Sequence, residues 1–135
     1  MILSAEEFVR LRTSDVREEY VRAADEGAPV GVWRDIISRF PEMREWVAHN
    51  RMVPLEVLEI LAHDSQSQVR AVVAGKRKLS AELFELLSQD SDEVVRQRVA
   101  YNKKAPMHII KRLALDQVPM VSSVALLRLQ EQTHT

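Results

Sequence analysis

This chain's sequence predicts an all-α repeat fold, about four to five stacked helix-pair units with a period near 26 residues. Three observations carry that reading. Residue types recur at a fixed interval, which is the mark of an array of similar units. Inside each unit the apolar residues fall at helical spacing. Only three glycines occur in the whole chain, too few for a sheet with many tight turns.

The recurrence is clearest in the middle of the chain. Val47-Ala48 returns as Val73-Ala74 and as Val99-Ala100. Pro54, Ser80 and Pro106 share a column, as do Leu58, Phe84 and Ile110, and Leu61, Leu87 and Leu113. Asp64, Asp90 and Asp116 align, with Arg44, Arg70 and Arg96, and with Val69, Val95 and Val121. Asn50 and Asn102 match, and Lys76 stands between them. The organisation expected is one helical-repeat domain, 1–135. It comprises degenerate repeats over 1–43, three regular repeats over 44–122, and a C-terminal cap with a polar tail over 123–135.

Taken from the start, Ser4-Ala5-Glu6 with Phe8 and Leu11 matches Ser80-Ala81-Glu82 with Phe84 and Leu87, so the chain opens on a half-unit. Ala28-Pro29 matches Ala105-Pro106 and sets Val32, Trp33 and Ile36 over Ile109, Ile110 and Leu113. In the first regular unit Leu55, Leu58, Leu61 and Ala62 form one helical stripe. Pro54 and Pro106 suit a first helical turn, where the missing N–H is harmless. Ser80 in that column instead offers a capping hydroxyl. This helix is expected to run about ten residues and to stop near the Asp column. Those aspartates are then expected to cap a second, shorter helix carrying the Val-Arg and Val-Val-Ala positions. Val124-Ala125 opens a last unit that decays into Gln130–Thr135. Helices this short persist only by packing on their neighbours, and irregular ends cover an array's terminal faces.

Units of the form V-R-x-x-V-A-x-N-x-x-x-P-x-x-x-L-x-x-L-A-x-D resemble the bacterial leucine-rich repeat variant, a HEAT-like α-helical repeat family. Arg98–Pro106 followed by Leu113–Asp116 is the nearest copy, and the likeness spans about residues 44–125, with a weaker trace over 4–43. The resemblance implies a right-handed α-solenoid, or superhelix, and no reaction. Some members carry an iron–sulfur module built on cysteines, which this chain does not contain. A strand-bearing leucine-rich repeat would need an L-x-x-L-x-L alternation, absent here.

Composition narrows the function classes. Formal net charge is −1, so nothing global points to nucleic acid or an anionic membrane. The absence of cysteine removes disulfides, thiolate metal sites and a cysteine nucleophile. Met1–Glu7 has neither a basic n-region nor a long apolar run and predicts no signal peptide. No stretch approaches the roughly 18 apolar residues of a membrane span. The expectation is a cytoplasmic protein.

Chemistry-bearing motifs are missing. His49, His63, His108 and His134 show no H-x-x-x-H spacing, and there is no G-x-S-x-G or glycine-rich phosphate loop. No cofactor, metal or catalytic residue is therefore expected. The Asp and Arg columns read as caps and pairs between units. The loop before each Pro column is basic. Arg51 stands in the first, Lys76, Arg77 and Lys78 in the second, and Lys103 and Lys104 in the third. Stacked about 10 Å apart, these would form a stripe beside helix N-termini, which favour anions. Trp33 aligns with the Leu58 column and reads as core. Trp46 falls beside the Val column, where partial exposure would make it an interface anchor.

The leading expectation is a non-catalytic interaction scaffold that holds an unidentified protein partner on a solenoid surface. One alternative is nucleic-acid or other polyanion binding along the basic loops. A second is a helical-repeat enzyme acting on a nucleobase, against which the 5% aromatic content weighs. A third is a structural homo-oligomer that caps its own ends.

Overall fold

The structure, a computed structural model, describes residues 1–133; His134 and Thr135, the end of the expected polar tail, lie outside the described residues. Among the described residues there are ten α-helices, one 3-10 turn and no strand. The chain divides into two compact units, Met1–Leu61 and the residues from Ala62 onward. The first holds α1 (Ala5–Arg12), α2 (Arg17–Asp25), α3 (Val30–Arg39), the 3-10 turn (Pro41–Met43), α4 (Arg44–His49) and α5 (Leu55–Leu61). The second holds α6 (Ser67–Ala74), α7 (Ala81–Ser88), α8 (Glu93–Tyr101), α9 (Met107–Leu113) and α10 (Pro119–Thr133).

In the first unit, α1 starts where the Ser4 hydroxyl accepts the Glu7 backbone N–H at 3.1 Å. Its first turn carries Glu6 and Glu7 and its last turn Arg10 and Arg12, which complements the helix dipole. Ala5, Phe8 and Leu11 line the buried stripe. The Phe8 ring meets the fully buried Trp33 of α3 edge-to-face, 5.6 Å between centroids. Trp33 is therefore core; its indole N–H has no hydrogen-bond partner.

The second unit is built around α8, against which α6, α7, α9 and α10 all pack. Ser80 caps α7, its hydroxyl accepting the Leu83 N–H at 3.2 Å. Pro106 stands one residue earlier than expected, at the N-cap of α9, where its carbonyl accepts the Ile109 and Ile110 N–H groups. The first helices are shorter than the sequence suggested, seven or eight residues, and α6 and α8 are eight and nine. The difference lies in the closing turn. After α7 the Gln89 and Asp90 N–H groups reach back three residues, to Leu86 and Leu87, and tighten the chain before the next helix.

The aspartate column also works differently from a helix cap. Asp90 accepts the Asp92 N–H and Asp116 accepts the Val118 N–H, two residues on in each case. These are side-chain turns in front of the helix; the cap of α8 is Asp92, which accepts the Val94 N–H at 2.8 Å. That leaves Asp90 and Asp116 free to take arginine. Arg70 binds Asp90 through Nε and Nη2, at 2.8 and 3.1 Å, and Arg96 binds Asp116 likewise, at 2.8 and 3.3 Å. Each arginine also donates through Nη1 to a carbonyl six residues back, Asp64 or Asp90. Only 16% of either arginine side chain is exposed, and 9% and 12% of the aspartates. Such forked, shielded pairs are the strong kind.

At the C-terminal end the described part of the polar tail is helical: α10 runs through Gln130–Gln132 to Thr133. Arg128 explains part of that persistence. Its guanidinium donates to the carbonyls of Ala100 and Asn102, at 2.9 and 3.1 Å, and holds α10 to the end of α8.

Candidate functional site

The site with the most concentrated recognition chemistry lies in the first unit. A cavity of about 510 Å³ is lined by Arg12, Ser14, Asp15, Tyr20, Ala23, Ala24, Trp46 and His49. That volume is in the range of ligand sites, about 300–1,000 Å³. Its walls are α2 and α4, and the end of α1 with the following turn roofs it. Ala23 and Ala24 present only methyl groups, which leaves the space open.

Asn50, just after α4, holds the two walls together. Its buried side-chain amide donates to the carbonyls of Ala23 and Glu26, at 2.8 and 2.9 Å, and its Oδ1 accepts the Met52 N–H. The Arg51 N–H donates to the Ala24 carbonyl at 2.8 Å. The walls are thus joined at the C-terminal ends of α2 and α4, which bounds the cavity on that side.

The roof is fixed as well. Glu19 pairs with Arg10 and accepts the Ser14 hydroxyl at 2.9 Å, while Ser14 Oγ accepts the Val16 N–H. The Arg10 hydrogen bond, then that of Ser14, holds the Glu19 carboxyl below its ordinary pKa. Ser14 is consequently committed to the turn and is not placed as a nucleophile.

Trp46 is 36% exposed and faces the cavity. The central carbon of the Arg12 guanidinium lies 3.6 Å from its ring centroid. At that distance the guanidinium is in contact with the ring face and cannot stand on edge without driving a nitrogen into it. The His49 ring stands 5.7 Å from that of Trp46.

The basic residues singled out in the sequence are distributed over both units. Arg51 lies in the first, largely exposed, with Nε 3.3 Å from Asp25 Oδ1. In the second unit, Lys76, Arg77 and Lys78 follow α6, and Lys103 and Lys104 follow α8. Asn102 joins these two loops: its amide donates to the Ala74 and Lys76 carbonyls at 2.8 and 2.7 Å. Five of the six residues are therefore carried on adjoining loops. Arg77, Lys78, Lys103 and Lys104 are exposed and Lys76 is half-buried.

Arg12, Tyr20 and Arg128 were not legible as functional or structural residues in the sequence. For Arg128 a signal existed, since it stands 26 residues after Asn102 and reaches carbonyls at the same offsets. Arg12 and Tyr20 fall in the degenerate part of the chain, where no column marks them. Among the described residues no group of three or more His, Asp or Glu residues could hold a metal ion, and no helix is long and apolar enough to cross a membrane. Comparison with protein-family models, curated proteins and solved structures finds no match for this chain.

Proposed function

We propose that this chain is a non-catalytic interaction module that binds a protein partner, and that the Trp46 cavity is its anchor point. The observation that supports this most directly is the stacking of Arg12 on the half-exposed Trp46 beside Tyr20. Trp, Tyr and Arg are the residue types that dominate binding energy at protein interfaces. Short helices joined within each unit by side-chain bonds such as those of Asn50 and Asn102 suit such a role, because little ordering accompanies binding. The finer architecture belongs to the same proposal: a right-handed solenoid of HEAT-like units with a period near 26 residues, of the leucine-rich repeat variant kind. Its support is the repeated donor-to-acceptor offset of the asparagine and arginine bonds and the twenty-residue spacing of both Arg–Asp pairs.

The adjoining basic loops of the second unit favour polyanion binding as a second reading, for which Lys76–Lys78 and Lys103–Lys104 are the contacts. Affinity capture decides between the two, using the wild type, Trp46→Ala and a Lys76→Glu/Arg77→Glu/Lys78→Glu variant as baits in host-cell extract. Capture is run with and without nuclease, at low and high salt. A nuclease-resistant protein that rebinds in purified form and is lost with Trp46→Ala supports the scaffold. Nucleic acid that is retained at low salt, released at high salt and lost with the triple variant overturns it.

A further inference from the structure

We propose that the Trp46 cavity is a carboxylate receptor and that it takes the C-terminal end of a partner chain. This rests on the interaction-module reading and specifies what the module recognises. Arg12 carries the argument. Stacked on Trp46, its guanidinium rests one face against the ring, which leaves the N–H groups of the fork at its edge for a ligand. Among the described residues, no carboxylate or carbonyl bonds that fork. Arginines lining two other cavities are already bonded. Arg96 binds Asp116, Arg112 binds Glu85, and Arg128 binds two backbone carbonyls. Arg12 instead combines a held position with open donors at the edge of a cavity.

A planar fork of that kind matches a carboxylate through two parallel hydrogen bonds. The rest of the lining specifies what is attached to it. Trp46, Tyr20, Ala23 and Ala24 offer an apolar body room, and Asp15 at the roof supplies an acceptor for a peptide N–H. The α2–α4 stitch bounds the cavity at one end, which suits a chain that ends there. A terminal carboxylate preceded by an apolar side chain meets all three conditions; an internal acidic side chain requires chain on both sides of it.

The test uses acetyl-Ala-Ala-Phe with a free carboxylate, its C-terminal amide, acetyl-Ala-Glu-Phe-amide and inorganic phosphate. Binding to the full-length protein is followed by tryptophan fluorescence and calorimetry. Trp46 reports the cavity, while the fully buried Trp33 lies outside its lining. The free acid is expected to bind, and the amide about tenfold more weakly or worse, for loss of charge-assisted bonds. Arg12→Lys, which keeps the charge and loses the fork, is expected to weaken the acid at least about fivefold. Ala24→Leu fills the cavity and removes no polar group, so it is expected to abolish binding with thermal unfolding unchanged.

Equal binding of acid and amide, or binding indifferent to Ala24→Leu, overturns the proposal. So does a preference for the internal glutamate peptide, or for phosphate. The two readings fail separately. A captured partner whose binding survives Ala24→Leu and Arg12→Lys but not Trp46→Ala refutes the receptor and keeps the scaffold. Peptide binding without any protein partner refutes the scaffold and keeps the receptor.

Discussion

Replacing Asn102 with alanine tests whether the loop-to-loop clasp is a main source of stability in the second unit. Asn102 is 6% exposed and its side chain makes three hydrogen bonds: two donated to the Ala74 and Lys76 carbonyls, one accepted from the Lys104 N–H. At about 1 kcal/mol for each net bond, Asn102→Ala is expected to cost about 3 kcal/mol. For a chain of this size that corresponds to a fall of about 10 °C in Tm. Asn102→Asp is the sharper probe. Its Oδ1 still accepts the Lys104 N–H, but its second oxygen faces two carbonyls with no proton to offer. Such a carboxyl has a folded-state pKa above its unfolded value of about 3.9. Its penalty is therefore absent below that value and grows as pH rises through the folded pKa. At pH 7 Asn102→Asp should be less stable than Asn102→Ala, and the order should reverse or close near pH 3.5. Thermal and urea unfolding followed by circular dichroism at both pH values measure this. A Tm fall below about 3 °C for Asn102→Ala, or equal stability of the two variants at pH 7, would refute the clasp.

Asp116→Asn addresses the arginine–aspartate pairs. The Arg96 hydrogen bond, aided by the Val118 N–H, holds the Asp116 carboxyl below its ordinary pKa. Its contribution is thus present above the unfolded pKa of about 3.9 and lost as pH falls through the folded value. The variant is expected to lose about 3 kcal/mol at pH 7, and the gap from wild type should close towards pH 2. A gap of constant size in urea titrations at pH 7, 4 and 2.5 would count against it. Trp33→Ala is expected to destabilise by about 3–5 kcal/mol, since it empties the core beside Phe8. A thermal shift of only a degree or two would place the Trp33 ring outside the load of that core.

The helices and buried columns were legible because both depend on residue type at fixed spacing. Leu58, Phe84 and Ile110 differ in shape, but each is apolar at the same phase, and each is buried. The cap at Ser80 was legible for a similar reason, a hydroxyl ahead of an apolar stripe. Helix α2 was not, because only Ala23 of its nine residues is buried and no stripe announces it. The asparagine column was visible as a pattern but silent about its purpose, since its acceptors are backbone carbonyls and any sequence provides those. The same reasoning applies to the site. Trp46 stood out by type, whereas Arg12 became significant only through a stacking geometry that joins α1 to α4. The basic loops were readable as charges, yet their adjacency in the second unit depends on the amide of Asn102.

The clasp has a bearing on how such a chain grows. Asn102 reaches back 26 and 28 residues, and Arg128 does the same with a different side chain. On the proposed period near 26 residues, donor and acceptors lie about one copy apart. A duplicated segment brings its own donor and finds its acceptors ready in the preceding copy, whatever residues drift there afterwards. Lengthening by whole copies needs no matched change elsewhere, whereas an insertion of a few residues breaks the fastening at once. Inheritance of the contact is built into the backbone, which leaves surface side chains at liberty to diverge towards new partners.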